Sequence, residues 1–302
     1  MKHYPASRSQ HDPVLESLCA EPVRVVRPAR QALPFVFASP HSGRLYPERF
    51  VERSRLGPVA LRRSEDAFVD ELFAPVVELG APLLLARFPR AYLDANRAPA
   101  ELDVAMFDGA LPFAVDRASP RVHAGLGIIP RVVREGVEIY REKLTARDAE
   151  ERIQNFYRPY HAQLERLVLD TRARFGLAIV IDCHSMPSAA AAPDIVLGDR
   201  LGLAAAPQVT YVAECAFAAQ GFTVARNTPY AGGHTTQLYG RPEGGVHVLQ
   251  IEINRALYMD EDRVERGLRF AEIRRRVALA LHDLVAFRGV EASEPAATLA
   301  AE

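Results

Sequence analysis

The sequence is poor in cysteine, and this scarcity excludes a fold built on disulfides. Only Cys19, Cys183 and Cys215 occur in 302 residues. Three cysteines cannot form the paired framework of a small secreted domain, and disulfides are rare in reducing compartments. We therefore expect free thiols and a reducing location.

Excess charge of one sign and long apolar runs are also missing. The formal net charge is −1, so the charge balance does not favour binding to nucleic acid or to a membrane surface. No stretch reaches the roughly 20 apolar residues of a membrane span, and Met1 to Gln10 lack the apolar core of a signal peptide. These absences predict a soluble, cytoplasmic protein with neither a nucleic-acid nor a membrane partner.

What remains is an ordinary globular composition over a length that suits one large α/β domain. Hydrophobic residues make up 49% of the chain and charged residues 25%. No internal repeat or linker argues for a second domain. We expect a partly disordered N-terminal extension over residues 1–33, a single domain over 34–289, and a disordered alanine-rich tail over 290–302.

The chain is organised around a short apolar run that ends in polar residues. Residues 178–181 are Ala-Ile-Val-Ile, and they lead directly into Asp182, Cys183, His184 and Ser185. A short, continuously apolar run that ends near a proline is typical of a strand buried on both faces, as in α/β sheets. Ligands of such sheets bind beyond the carboxyl ends of the strands, so His184 is a candidate site residue.

Other predicted strands also end in chemically useful residues. The strand at 35–38 leads to His41, the strand at 83–86 leads to residues 87–97, and the strand at 246–253 carries Glu252 near its end. Further strands are predicted at 194–199, where the strand ends in a turn, and at 222–225, with a weak strand signal at 23–26.

The remaining spacing predicts helices and two loops. Helical spacing covers 59–79, which places Glu65 and Asp66 early on that helix, and also 209–220 and 260–287. The longest helix is predicted over 145–175, with a break near Tyr157 because Pro159 lies inside it. We expect loops at 98–140, which is long enough for a functional lid, and at 227–245.

His41, His184 and one carboxylate have the composition of a catalytic zinc site. Such sites take three protein ligands and leave a position for water, and a further carboxylate beside that water serves as general base. The ligands are far apart in sequence and lack the spacing of an HExxH motif. A histidine at a strand end is also common as a structural, hydrogen-bonded residue, so both readings stand at this point.

Basic residues after the strand at 83–86 allow two interpretations. Arg97, next to Asn96, suits bidentate recognition of a carboxylate, or it pairs with Asp94 at the surface. Arg90 is either structural or faces a developing oxyanion. Their position just beyond a buried strand favours roles in ligand binding.

A series of motifs in a fixed order resembles the N-formylglutamate amidohydrolase family from about Phe35 to Glu261. No single motif is diagnostic, but their order is specific. The motifs are Ser39-Pro40-His41-Ser42-Gly43, Ser64-Glu65-Asp66, Val69-Asp70, Arg90, Asp94-Ala95-Asn96-Arg97, Gly125-Leu126-Gly127, Tyr157-Arg158-Pro159-Tyr160-His161, Asp182-Cys183-His184-Ser185-Met186-Pro187, Val196-Leu197-Gly198-Asp199-Arg200, Gly232-Gly233, Tyr239-Gly240-Arg241-Pro242 and Leu249-Gln250-Ile251-Glu252-Ile253.

The resemblance implies a fold and a reaction. The family resembles zinc carboxypeptidases and aspartoacylase, which have a phosphorylase/hydrolase-like α/β fold. The resemblance therefore implies a single α/β domain with a mixed, mostly parallel central sheet, flanking helices and zinc at the strand ends. The implied reaction is hydrolysis of N-formyl-L-glutamate, or of a related N-acyl amino acid, at the end of histidine breakdown. One zinc ion, or another divalent metal, is expected per chain.

The resemblance also assigns roles to residues. It implies His41, Asp66 and His184 as metal ligands, with Glu65 as the runner-up for the carboxylate. Carboxypeptidase-like folds take that carboxylate three residues after the first histidine, where this chain has Arg44. The catalytic residues implied are Glu252 as general base and Arg90, and the substrate-binding residues are Asn96, Arg97 and His234.

His234 and Ala95 depart from the residues expected in enzymes dedicated to formylglutamate, which leaves the substrate open. The alternatives are a zinc carboxypeptidase-like peptidase or an N-acyl amino acid deacylase of another specificity. A third possibility is a non-catalytic binder of amino-acid-like ligands on the same scaffold.

Overall fold

A seven-stranded mixed sheet forms the centre of the protein. The structure is a computed structural model that describes residues 11–134, 136–189 and 192–286. The sheet strands, in chain order, are β1 (Val23–Val26), β2 (Phe35–Ser39), β3 (Leu83–Ala86), β4 (Ala178–Met186), β5 (Ile195–Gly198), β6 (Val224–Arg226) and β7 (Val246–Asn254).

The order of the strands in space is β1-β3-β2-β4-β7-β5-β6. β3, β2, β4 and β7 are mutually parallel neighbours, β1 and β5 pair antiparallel with β3 and β7, and β6 is parallel to β5. The sheet is therefore mixed with mostly parallel pairings, and helices flank it. This confirms the predicted fold class of a single α/β domain.

In the described part of the chain, ten α-helices connect and cover the strands. They are α1 (Pro13–Ala20), α2 (Glu48–Arg53), α3 (Pro58–Arg62), α4 (Val69–Phe73), α5 (Pro120–His123), α6 (Ala146–Arg152), α7 (Arg158–Phe175), α8 (Pro207–Ala219), α9 (His234–Tyr239) and α10 (Phe270–Val285). None of the helices among the described residues is both long and apolar enough to cross a bilayer.

The central strands are apolar because the sheet is covered on both faces. All nine residues of β4 are buried, as expected for a strand of continuous apolar character in a parallel sheet. Ile179 and Ile181 belong to the core cluster that includes residues of α8 and α10, whereas Val180 belongs to the cluster that includes residues of α7. Because side chains alternate, Asp182 and His184 share the α7 face with Val180.

The prediction of one continuous helix over 59–79 is wrong for residues 63–68. α3 and α4 occupy its two ends, and residues 63–68 form turns instead of a helix. Phe68 has a left-handed φ of 66°, and the backbone amide of Asp66 donates to the carbonyl oxygen of His41 at 3.0 Å. Glu65 and Asp66 therefore lie in a loop, held by a tertiary contact that helical spacing cannot reveal.

The long helix predicted over 145–175 occurs with the expected break. Thr145 and Asp148 form a capping box at the start of α6. A π-helical turn over Ile153–Tyr157 separates α6 from α7, whose first turn contains Pro159. Gly176, with a φ of +79°, ends the helix.

Two other predicted boundaries need correction. The closing helix begins at Phe270 rather than at residue 260, because Met259–Asp260 and Glu265–Arg266 pair as a short antiparallel hairpin. The loop predicted over 227–245 contains α9, whose six residues are too few to show a periodic apolar face.

The lid-length segment 98–140 contains short elements rather than a bare loop. These are a 3₁₀ turn, α5, and three two- or three-residue strands, Phe107–Asp108, Val132–Arg134 and Val137–Glu138. In the N-terminal extension the weak strand signal is confirmed as β1. The tail at 290–302 lies outside the described residues.

Candidate metal and active site

The parallel strands bring the predicted site residues to one edge of the sheet. β2, β3, β4 and β7 run in the same direction, so their carboxyl ends meet. His41 follows β2, residues 90–97 follow β3, and His184 lies near the end of β4. This is the edge where open α/β sheets bind ligands.

The register between β4 and β7 aligns four polar side chains. Glu252 pairs with His184, and Gln250 pairs with Asp182. Because residues two apart in a strand share a face, all four side chains point to the α7 face of the sheet. All four are buried.

His41, Asp66 and His184 form one buried cluster. His41 Nδ1 lies 3.2 Å from Asp66 Oδ2, and His184 Nδ1 lies 2.9 Å from the same oxygen. One ligand atom from each residue lies within 4.8 Å of the others. The sequence prediction that these three residues meet in space is therefore confirmed.

A second carboxylate stands behind each imidazole. His41 Nε2 is 2.7 Å from Asp94 Oδ1, and His184 Nε2 is 3.0 Å from Asp182 Oδ2. Metal-binding histidines usually donate their other ring N–H to such a carboxylate, which fixes the ring and the tautomer. Both imidazoles are thus oriented with Nδ1 towards Asp66.

Two arginines lie close to the second carboxylate oxygen of Asp66, Oδ1. Arg255 Nη2 donates to Asp66 Oδ1 at 2.9 Å, and Arg90 Nη1 lies 3.7 Å from that oxygen. Burial alone would raise the pKa of Asp66, but the hydrogen bonds from His184 and His41 hold it well below its ordinary value. Asp66 is therefore an ionised carboxylate with one oxygen, Oδ2, directed at the two imidazoles.

Glu65 is engaged elsewhere. Its carboxylate accepts hydrogen bonds from the Tyr46 hydroxyl at 2.7 Å and from Arg62 Nε at 3.1 Å. Burial raises its pKa despite these partners. Glu65 is absent from the His-Asp-His cluster, so the geometry favours Asp66 over Glu65 as the carboxylate ligand.

Glu252 lies beside the cluster, and one hydrogen-bond donor contacts its carboxylate among the described residues. Gln250 Nε2 donates to Glu252 Oε1 at 2.8 Å. Burial raises the pKa of Glu252 to about 7, because Asp66 adds to the effect of burial and His184, Arg90 and Arg255 only partly oppose it. A carboxylate with this pKa can accept and return a proton near neutral pH.

Arg90 and Arg97 both line the site. Arg90 Nε donates to Asp94 Oδ2 at 3.0 Å. Arg97 Nε donates to the carbonyl oxygen of Leu126 at 3.1 Å, and its Nη1 donates to the carbonyl oxygen of Asn96 at 2.8 Å. Two backbone acceptors therefore fix the guanidinium of Arg97, whose side chain is 11% exposed, and its Nε also lies 3.9 Å from Asp94 Oδ2 in a long ion pair.

The amide group of Asn96 is bound to protein groups at both ends. Its Nδ2 donates to Asp182 Oδ2 at 3.1 Å and lies 3.0 Å from His184 Nε2. Its Oδ1 accepts from the backbone amide of Thr235 at 2.8 Å. These contacts orient Asp182 and His184, and the substrate contact expected for Asn96 stays a prediction.

His234 belongs to an aromatic cluster beside the site. Its Nε2 lies 2.9 Å from the Tyr157 hydroxyl, and its ring is 5.7 Å from that of His161. It is not among the described residues that line the cavity. His161 Nε2 in turn lies 2.9 Å from the carbonyl oxygen of Ala95, so this histidine supports the segment between Asp94 and Arg97.

A cavity of about 1350 Å³ opens above the cluster. Among the residues that the structure describes, eight arginines line it, against three carboxylates. The chain as a whole carries a net charge of −1, so positive charge is concentrated at this cavity. The arginines are Arg55, Arg63, Arg90, Arg97, Arg121, Arg131, Arg134 and Arg255.

The donor set fits a divalent metal such as zinc. Two imidazole nitrogens and one carboxylate oxygen are a common catalytic zinc set, and zinc ligands at about 2.1 Å in a tetrahedron lie about 3.4 Å apart. The two nitrogen-to-oxygen distances, 3.2 and 2.9 Å, are close to that separation. The outer carboxylates Asp94 and Asp182 complete the surroundings expected of such a site.

Sequence reasoning did not assign Asp182, Gln250 or Arg255 to the site, and it read Asp94 only as a salt-bridge partner. Asp182 and Gln250 each lie two residues before a predicted site residue on the same strand, so strand periodicity contained the signal. The contact between Arg255 and Asp66 joins positions 189 residues apart and has no local signature.

Comparisons with known proteins agree with this geometry. A model of the N-formylglutamate amidohydrolase family matches residues 33–259. The N-formylglutamate deformylase of Pseudomonas aeruginosa is 31% identical over 244 residues, which cover 77% of this chain and 84% of that protein. The N-formylglutamate deformylase of Pseudomonas putida is 29% identical over 242 residues, or 76% of this chain and 83% of the relative.

A solved structure is also similar over nearly the whole chain. The crystal structure of N-formylglutamate amidohydrolase from Ralstonia eutropha JMP134 has a TM-score of 0.82 to this chain at 37% sequence identity. The match covers 88% of this chain and 98% of that one.

Proposed function

Because the chain belongs to the N-formylglutamate amidohydrolase family, we propose that it hydrolyses N-formyl-L-glutamate to formate and L-glutamate. The observation that carries the proposal is the buried His41–Asp66–His184 cluster at the floor of an arginine-lined cavity. A cavity with this charge suits a small ligand that carries carboxylates.

His41, Asp66 and His184 would hold one zinc ion through their Nδ1, Oδ2 and Nδ1 atoms. When bound, zinc supplies Lewis acidity that polarises a carbonyl and makes a water more acidic. Asp94 and Asp182 hold the two imidazoles in the required orientation. Arg255 engages the other oxygen of Asp66 and so keeps Oδ2 available.

Glu252 is the general base of the proposed reaction. Its carboxylate takes a proton from the attacking water, whose oxygen forms a bond to the formyl carbon. The same carboxylate then gives the proton to the amide nitrogen as the carbon–nitrogen bond breaks. The register places this carboxylate next to His184, at the cavity wall.

Arg90 and Arg97 have separate roles. The guanidinium of Arg90 is held between Asp94 and Asp66, from where it can donate to the oxygen that becomes negative during attack. Arg97 is fixed by two backbone carbonyls, and its remaining N–H groups bind the substrate α-carboxylate. Asn96 positions Asp182 and His184.

Formate release from N-formyl-L-glutamate, measured before and after metal removal, tests the proposal. We expect chelation to abolish activity and zinc to restore it. Glu252→Gln should lower kcat by about 10²–10⁴-fold, the usual loss for a general base, while the purified variant keeps its metal. Glu150→Gln, an exposed substitution of the same chemistry, is the control. Activity that survives metal removal would contradict the metal role.

A further inference from the structure

The segment 98–140 places a second arginine next to Arg97. α5 carries Arg121, and the carbonyl oxygen of Arg121 accepts from the backbone amide of Leu126 at 2.8 Å. The carbonyl oxygen of Leu126 then accepts from Arg97 Nε at 3.1 Å. One turn, closed at Gly125 with a φ of +77°, therefore connects the two arginines at the cavity wall.

Arg121 makes one long ion pair among the described residues. Its partner is Glu101, whose Oε1 lies 4.0 Å from Arg121 Nη1. Glu101 already accepts hydrogen bonds from the Ser119 hydroxyl at 2.7 Å and from the backbone amide of Ala98 at 2.9 Å. The Arg121 side chain is 43% exposed, so its donors remain free to bind a ligand.

The two guanidiniums also repel each other. Burial lowers the pKa of Arg97, and the charges of Arg90 and Arg121 lower it further against the opposing effects of Asp94 and Glu101. Like charges held close together at a cavity wall are stabilised when an anion binds between or beside them.

We propose that Arg121 binds the side-chain carboxylate of the substrate while Arg97 binds its α-carboxylate. This assignment rests on the proposed function and deepens it, because it makes α5 the element that selects acidic N-formyl amino acids. A substrate with a neutral side chain of the same shape would lose the contact with Arg121 and keep the others.

Kinetics with N-formyl-L-glutamate and N-formyl-L-glutamine test this assignment. The two substrates have nearly the same shape but differ in side-chain charge. Arg121→Gln should lower kcat/KM for the glutamate substrate by about 10- to 100-fold, mainly through KM, because a charge-assisted hydrogen bond is lost. The glutamine substrate should be affected much less, and Arg121→Lys should restore part of the loss.

Arg117→Gln is the matched control. Arg117 is an exposed arginine in the same segment that does not line the cavity, so its removal should leave both substrates unaffected. Equal losses for the two substrates in Arg121→Gln, or no loss for either, would overturn the assignment.

A binding measurement separates this inference from the proposed reaction. Calorimetry of the metal-loaded protein with glutarate and with valerate compares a dicarboxylate and a monocarboxylate of equal chain length. Arg121→Gln should weaken glutarate binding and leave valerate binding unchanged, whether or not formate is released from the formyl substrate. Glutarate binding that is identical in the two proteins would refute the role of Arg121, whereas absence of formate release would refute only the reaction.

Discussion

Each imidazole of the cluster has one nitrogen held by a carboxylate and the other turned to Asp66. Asp94 lies behind His41, and Asp182 lies behind His184.

The contacts of individual atoms also distinguish the two neighbouring acids Glu65 and Asp66. Asp66 points an oxygen at both imidazoles, whereas Glu65 accepts from Tyr46 and Arg62. Residue identity alone could not have made this choice, since both are buried acids.

Substitution of the two acids therefore gives opposite results. Asp66→Asn should lose most of the bound metal and its activity, because the carboxylate oxygen shared by His41 and His184 becomes part of a neutral amide. Glu65→Gln should keep about one metal ion per chain, at some loss of stability from the weakened contact with Arg62. Elemental mass spectrometry of the metal content checks both variants, with activity measured in parallel. A metal-free Glu65→Gln protein that remains folded would reverse the assignment.

At the scale of elements, the glycine-rich region before β7 packs against the site through a close contact between Gly233 and Asn96. Gly233 precedes α9, and a Cβ atom there would lie 2.6 Å from Asn96 Oδ1 and 2.7 Å from Asn96 Cγ. The backbone of Gly233 has a φ of −98°, which any residue can adopt. Glycine is required at this position by the close approach of Asn96 and not by the backbone conformation.

Gly233→Ala should therefore disturb the site without a backbone penalty. The methyl group must push the Asn96 amide away from Asp182 and His184, so we expect a loss of activity of about tenfold or more and weaker metal binding. Gly244→Ala is the control, because a Cβ atom there meets its nearest neighbour at 3.7 Å. Activity and metal affinity of the two variants, compared after circular dichroism confirms folding, check the prediction. Equal behaviour of the two would contradict it.

Some of the secondary-structure elements could be predicted from the sequence, whereas others depend on tertiary contacts or are too short to show a pattern. β2, β3 and β4 were predictable, because strands buried on both faces contain continuous apolar runs, and β7 was predictable although His247, Gln250 and Glu252 interrupt its apolar residues. The interruption between α3 and α4 was not, since it depends on the contact between Asp66 and His41, 25 residues apart. α9 was missed because its six residues carry too few turns for periodicity to show.

The site residues follow the same division. His41, His184 and Glu252 could be predicted because they follow or end recognisable strands. The orientation of Asp66, with Oδ2 towards the imidazoles and Oδ1 bound by Arg255, could not be predicted, and neither could the hydrogen bonds of the Asn96 amide. Each depends on partners from distant parts of the chain. Sequence patterns give the position of a residue along an element, and tertiary contacts decide which of its atoms remain available.

At the scale of the whole molecule, His161 joins the elements that surround the site. It lies on α7 and donates from Nε2 to the carbonyl oxygen of Ala95 beyond β3, and its Nδ1 lies 2.9 Å from the hydroxyl of Tyr239 on α9. Among the described residues, the other titratable groups near it are Tyr157, Tyr160, His234 and Asp182. Burial lowers the pKa of His161 to about 4, with a smaller contribution from His234, against the opposing effects of the Ala95 carbonyl and Asp182.

This neutral, buried histidine should make the stability of the fold fall in mild acid. The unfolded chain binds a proton on this histidine below about pH 6.5, whereas the folded chain stays neutral there down to about pH 4. The unfolded state therefore binds more protons between these values, and the free energy of unfolding decreases as the pH drops through that window. From pH 7 to pH 5.5 the contribution of His161 to this decrease is about 1 kcal/mol.

Urea unfolding of the metal-free protein at pH 7 and pH 5.5 checks this contribution without interference from metal loss. His161→Gln should be less stable than the parent at pH 7, since its hydrogen bonds are altered, but it should lose about 1 kcal/mol less on acidification because glutamine does not titrate. His282→Gln, at an exposed position of α10, should follow the parent at both values. If the parent and His161→Gln lose equal stability between the two pH values, His161 is protonated as readily in the folded chain as in the unfolded one, and the coupling of its burial to global stability is wrong.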